Sequence, residues 1–158
     1  MQLPIGPNPK SDMRFAMGGQ VAHFPPELTL SVESQLKLKE LYQYVDICRT
    51  LLGEIRADLS LFETNSEDTS PLQRASELLE SFCIEADSWG FNSLYEIGLG
   101  LQMLLINPGD RVQKDAFWDT VNRGLDLLSA LLEQCEADFR WRLAIADMLD
   151  SINQVARH

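Results

Sequence analysis

The stretch LQRASELLESFCIEADSWGFNSLYEIGLGLQMLL, residues 72–105, decides the fold. Leu72, Ala75, Leu79, Phe82, Ala86 and Trp89 step by three and four, which is the spacing of a helix that buries one stripe. Just before it, Ser70-Pro71-Leu72-Gln73 offers an N-cap, a proline at the first helical position and a glutamine able to reach back. Gly90 ends this helix. Asn92 and Ser93, with Glu96 three beyond the serine, start another through Leu94, Ile97, Leu101, Leu104 and Leu105, and Asn107-Pro108-Gly109 stops it. The stretch therefore reads as a helical hairpin. Gln73, Glu77, Glu80 and Asp87 fall away from its apolar stripe, and Ile84 lies off the stripe one turn beyond Glu80.

Outward from the hairpin the period stays helical. Leu38, Leu41, Val45, Cys48, Leu52, Ile55, Leu59 and Phe62 predict one long amphipathic helix over about Val32 to Phe62, about 45 Å long. On the other side, Asp110 with Gln113 is expected to cap a fourth helix carrying Phe117, Val121, Leu125, Leu128, Leu132 and Cys135. A fifth is expected from Phe139 to Val155 through Trp141, Ile145, Met148, Ile152 and Val155. No segment demands a strand. The expected fold is all-α, an antiparallel four-helix bundle over residues 31–158 with the fifth helix packed against it. Residues 1–30 hold Pro4, Pro7, Pro9, Gly18, Gly19, Pro25 and Pro26 without sustained period and read as a flexible N-terminal arm.

Composition bounds the partners. A chain of 158 residues suffices for one domain with a sizeable core. Its net charge of -11 and pI near 4.5 repel phosphate backbones and anionic lipid, so neither nucleic acid nor a membrane surface is expected. Cys48, Cys83 and Cys135 are odd in number, widely spaced and beside apolar stripes, as small hydrophobes in a reducing compartment are; a cytoplasmic protein is expected. No Cys or His pair has zinc spacing and no glycine-rich phosphate loop precedes a helix, so no metal or cofactor is expected. Gly98 and Gly100 are read as permitting close packing, Met103 and Met148 as core or near-core, and Trp89, Trp118 and Trp141 as bundle anchors.

From about Leu41 to Cys135 the sequence resembles the histidine phosphotransfer family, most closely the phosphotransfer domain at the start of chemotaxis-type histidine kinases. The likeness rests on the long first helix, the acidic linker Glu63-Thr64-Asn65-Ser66-Glu67-Asp68, and Leu72 to Glu80 in place of the family's Leu-x-x-Leu-Phe-Arg-x-x-His segment. Gly90-Phe91, Leu94 and Ile97, and the Trp118 to Leu132 segment also fall where the family has a glycine, apolar positions and a leucine repeat. The family's phosphorylation motif His-x-x-Lys-Gly falls on Glu80, Cys83 and Ile84, so all three functional residues are missing.

That substitution changes the chemistry the resemblance implies. Imidazole is a competent phosphoryl nucleophile at neutral pH, whereas a glutamyl phosphate hydrolyses readily. His23, in the arm, and the terminal His158 do not replace it. The expected role is therefore not enzymatic. Glu77, Glu80, Ile84 and Asp87 are expected to form a protein-binding face for a response-regulator receiver domain or a histidine kinase, an apolar centre ringed by charge. The plainer reading makes these carboxylates a solvated face and packs Ile84 against the arm or fifth helix. Two alternatives stand beside docking. One is an unrelated scaffold bundle, self-associating as a homodimer through its first helix. The other is a receiver phosphatase using Asp150 and Gln154, an acid and a carboxamide one turn apart.

Overall fold

The computed structural model describes residues 30–157. They are almost wholly helical: α1 (Val32–Thr64), α2 (Ser70–Ser88), α3 (Asn92–Ile106), a short 3-10 helix (Gly109–Gln113) and α4 (Asp115–Arg157). No strand occurs among the described residues. The all-α expectation holds. The arm, except Leu30, and both histidines lie outside the described residues.

Two expected boundaries are wrong. The fourth and fifth helices are one 43-residue helix, α4. Nothing at the expected junction breaks it: Glu133 to Asp138 contains no glycine or proline, and Ala, Glu and Gln favour helix. Gln134 Nε2 donates to Asp138 Oδ1 at 3.0 Å and Arg140 pairs with Glu136 at 3.4 Å, both one turn apart across that point. The second error is the start of this helix, placed by the sequence at Asp110. Gly109 (φ 58°) instead opens a 3-10 turn, and Lys114 is extended (φ -105°, ψ 134°) before α4 begins. Trp118 then donates its indole N–H to the Val112 carbonyl at 2.7 Å, fixing that turn to α4.

The chain divides into two compact units. The larger, Tyr44–Leu132, contains part of α1, all of α2 and α3, and the first part of α4. Its apolar stripes are buried as their spacing predicts, with Ile55, Leu79, Phe82, Leu94 and Leu128 fully excluded from solvent. Each such side chain contributes about 1.5–3 kcal/mol of transfer free energy, an upper figure because the unfolded chain already hides some surface. Polar and close contacts link the four helical segments in turn. Arg74 pairs with Asp58 between α2 and α1, and Arg56 with Asp126 between α1 and α4. Gly98 meets Cys83 and Phe82 between α3 and α2, and Gly124 meets Leu101 between α4 and α3. The segments form a helical bundle.

The smaller unit comprises residues 30–43 with 133–157. Its core is slight, with Leu41 and Leu143 buried. Ser31 caps α1, its Oγ accepting the Ser34 N–H at 3.1 Å. Asp147 accepts from the Ser31 N–H at 2.8 Å, from the Ser31 hydroxyl at 3.1 Å and from the Ser34 hydroxyl at 2.9 Å. Further along, Arg140 donates to the Tyr42 hydroxyl and lies 5.2 Å from its ring centroid. Rising numbers in α1 thus meet falling numbers in α4. Ile145, Met148, Ile152 and Val155, expected to pack as a stripe, are instead all more than half exposed. Every residue from Met148 to Arg157 is exposed, because Asp147 already sits beside Ser31, where α1 begins.

Candidate functional site

The α2–α3 hairpin is built as its sequence implies at the turn and differently at its start. Gly90 adopts φ 74°, a left-handed conformation that costs glycine nothing. The Phe91 N–H then bonds the Ala86 carbonyl at 2.9 Å and the Gly90 N–H bonds Asp87 at 3.0 Å, closing a Schellman motif. Trp89 and Phe91 stack at 6.1 Å and both pack on Tyr44, at 5.4 and 5.7 Å, anchoring the turn to α1. At the start, Thr69 is the N-cap and makes no side-chain cap bond. Asp68 does that work, its Oδ1 accepting the Ser70 N–H at 3.0 Å, and this bond holds its carboxyl below the usual range. Gln73 does not reach back; its amide lies 3.4 Å from Glu77 Oε2.

Glu77, Glu80, Ile84 and Asp87 are all exposed, Ile84 at 63%. Their arrangement follows from Cys83, which is buried where α3 approaches: a Cβ on Gly98 would lie 2.9 Å from its Sγ. At about 100° per residue, Glu80 and Asp87 lie about 60° and 40° round α2 from Cys83, with Ile84 about 100° and Glu77 about 120°. All four turn to one side, and the buried Leu79, Phe82 and Ala86 turn to the other. Ile84 therefore sits on an acidic outer face, and no described segment covers it. Glu77 stands at its margin, where it also lines a groove of about 450 Å³ with Glu54, Asp58, Arg74 and Ser81.

Cys83 is part of the helix seam rather than of that face. Burial first, and then the charge of Glu80, push its thiol up to about 11. Cys48 and Cys135 are also pushed up to about 11, chiefly by burial. All three thiols are accordingly poor nucleophiles at neutral pH.

The sequence reading missed the contribution of α3. Met103, read as near-core, is 65% exposed, and Leu99 and Ile106 are exposed with it. Leu99, Met103 and Ile106 step by four and three, a second apolar row on the side of α3 away from the buried Leu94, Leu101 and Leu105. A helix apolar on two sides was the available sign, since one core needs only one stripe. Gly98 permits close packing as expected, whereas nothing approaches Gly100. Met148 is likewise exposed rather than near-core, and Trp89, Trp118 and Trp141 are only partly buried. Asp150 and Gln154 are both exposed on α4, in the smaller unit, and the hairpin residues belong to the larger one.

Among the described residues, no group of three His, Cys, Asp or Glu side chains is placed to hold a metal ion, and no helix is long and apolar enough to cross a membrane. No family model matches the chain, and neither a curated protein nor a solved structure matches it.

Proposed function

We propose that the larger unit is an antiparallel four-helix bundle of the phosphotransfer kind, and that its α2–α3 hairpin grips a receiver domain or a histidine kinase without carrying a phosphoryl group. The single observation behind this reading is Ile84, 63% exposed on a face whose other members are Glu77, Glu80 and Asp87. An isoleucine so placed gains little by folding and much by being covered, and the surrounding carboxylates select a partner with basic groups at its rim. Glu80 occupies the position of the family's phosphorylated histidine and holds a permanent single charge, against the roughly two of a phosphoryl group. Binding that resembles docking of a phosphorylated carrier then needs no reaction. The other helix of the hairpin, α3, carries its own exposed apolar row, Leu99, Met103 and Ile106.

The test is isothermal titration of the intact chain against the receiver domains and histidine kinases of its own organism. One of them is expected to bind, with Ile84→Asp abolishing the heat. Absence of binding across the set, or binding indifferent to Ile84→Asp, contradicts the proposal.

A further inference from the structure

The open end of the α2–α3 hairpin, away from the Gly90 turn, borders a cavity of about 590 Å³ within the larger unit. Residues of α1, the linker after it, α2, α3 and the 3-10 helix all contribute to its walls. Phe62, Leu72 and Leu105 give it an apolar floor, each at most 5% exposed, and Val112 stands on the side of the 3-10 helix. The Trp118 indole is bonded to the Val112 carbonyl at 2.7 Å and lies 6.1 Å from the Phe62 ring, so that side is held in place. The volume falls within the range of small-molecule sites, about 300–1,000 Å³.

Charge and hydrogen bonding narrow the ligand. No charged residue lines the cavity, although 23% of the chain is charged. An ion entering it would lose hydration with no opposite charge to compensate. One wall is polar: Thr69, Gln73 and Ser76 recur at steps of four and three along one face of α2. Ser76 is 7% exposed, and its hydroxyl has no hydrogen-bond partner among the described residues. Ser129 donates to the Leu125 carbonyl at 3.3 Å and the equally buried Ser34 to Asp147 at 2.9 Å; Ser76 makes neither kind of bond. Buried hydroxyls are nearly always bonded, so one left open on a cavity wall calls for a partner from outside the chain. Thr69, which makes no side-chain cap bond, offers a second hydroxyl. We propose that this cavity binds a neutral, largely apolar small molecule with one or two hydrogen-bonding groups. Ser76 and Thr69 engage those groups, and Phe62, Leu72 and Leu105 cover the apolar body. The site shares no residue with Glu77, Glu80, Ile84 and Asp87, so it stands whether or not that face docks a protein.

Fluorescence titration of the intact chain with N-phenyl-1-naphthylamine tests the proposal, because this probe is neutral, carries one N–H and brightens in an apolar site. Saturable binding of one probe per chain is expected. Gln73→Trp and Val112→Trp, at an exposed and a half-buried position, fill the cavity from α2 and from the 3-10 helix. Each is expected to weaken binding at least about tenfold while the helix content measured by circular dichroism is unchanged. Ser76→Ala keeps the shape and removes the hydroxyl, and is expected to weaken binding about fivefold, the worth of one hydrogen bond. The anionic counterpart 1-anilinonaphthalene-8-sulfonate, the same rings with a sulfonate added, is expected to bind at least about tenfold more weakly. Absence of saturable binding leaves the hydroxyl to water and overturns the proposal. So does binding indifferent to both tryptophan substitutions, which places the probe on another apolar surface, and so does binding unmoved by Ser76→Ala or equally tight for the anion.

Discussion

Replacing Ile84 by aspartate separates a binding face from a folding core. With 63% of its surface exposed, Ile84 has about two-thirds of its transfer free energy still to gain, about 1–2 kcal/mol of the 1.5–3 for full burial. The aspartate forfeits this and adds a carboxylate among Glu77, Glu80 and Asp87, to be desolvated under the partner at a further cost of about 1–3 kcal/mol. The sum weakens binding by about thirtyfold or more. Folding barely notices, since the side chain lies outside the core; a change within about 0.5 kcal/mol is expected. Titration calorimetry against the bound receiver or kinase, paired with thermal unfolding of the free chain, measures both quantities. A Kd that does not move excludes Ile84 from the binding face. A fall in Tm of more than about 8 °C refutes the reasoning from the other side, by showing that Ile84 belongs to the core.

Other perturbations probe the scaffold. Gly98→Ala puts a Cβ 2.9 Å from the buried Cys83 Sγ and 3.3 Å from Phe82, so it is expected to cost about 1–3 kcal/mol in chemical denaturation, and Cys83→Ala in the same chain to recover part of it. The Asp147 carboxyl is held below its ordinary 3.8, first by the Ser31 N–H and, against the opposing effect of burial, by the Ser34 and Ser31 hydroxyls and Lys37. Its contribution is therefore complete above that value and is lost as pH falls through the lower folded one; the protection of amides at the start of α1, taken against their intrinsic exchange rate at each pH, is expected to fall on acidification below pH 4, and Asp147→Asn to remove the dependence. With all three thiols near 11, alkylation by iodoacetamide at pH 8 is expected to run about a hundredfold slower in the native chain than at thiols of ordinary pKa 9, and denaturant to abolish the difference.

The helices of the larger unit were legible because each buries one stripe. Leu79, Phe82, Leu94 and Leu128 announce their burial by spacing, and Gly90 its turn by being the one residue there indifferent to positive φ. The exposure of Glu77, Glu80 and Asp87 was readable from the same periodicity. Three features were not. The junction after Cys135 was read as a boundary between two helices, yet no residue there interrupts the helix's hydrogen bonds. The exposure of Ile145 to Val155 depends on where α1 begins relative to α4, which Asp147 settles through contacts 113 and 116 residues distant. The place of Cys83 in the seam depends on the approach of Gly98, again a tertiary fact. Periodicity reports which side of a helix is apolar; it does not report whether anything stands there.

On the proposed function, the outer face of the α2–α3 hairpin is a protein-binding surface. Chemical-shift mapping of the isotopically labelled, intact chain during titration with the receiver or kinase that binds it tests this most directly. Perturbations are expected to gather at residues 77–87 and 96–106 and to leave 133–157 unmoved. Perturbations centred on α4, or no perturbation of Glu80 and Ile84 at saturation, contradict the account.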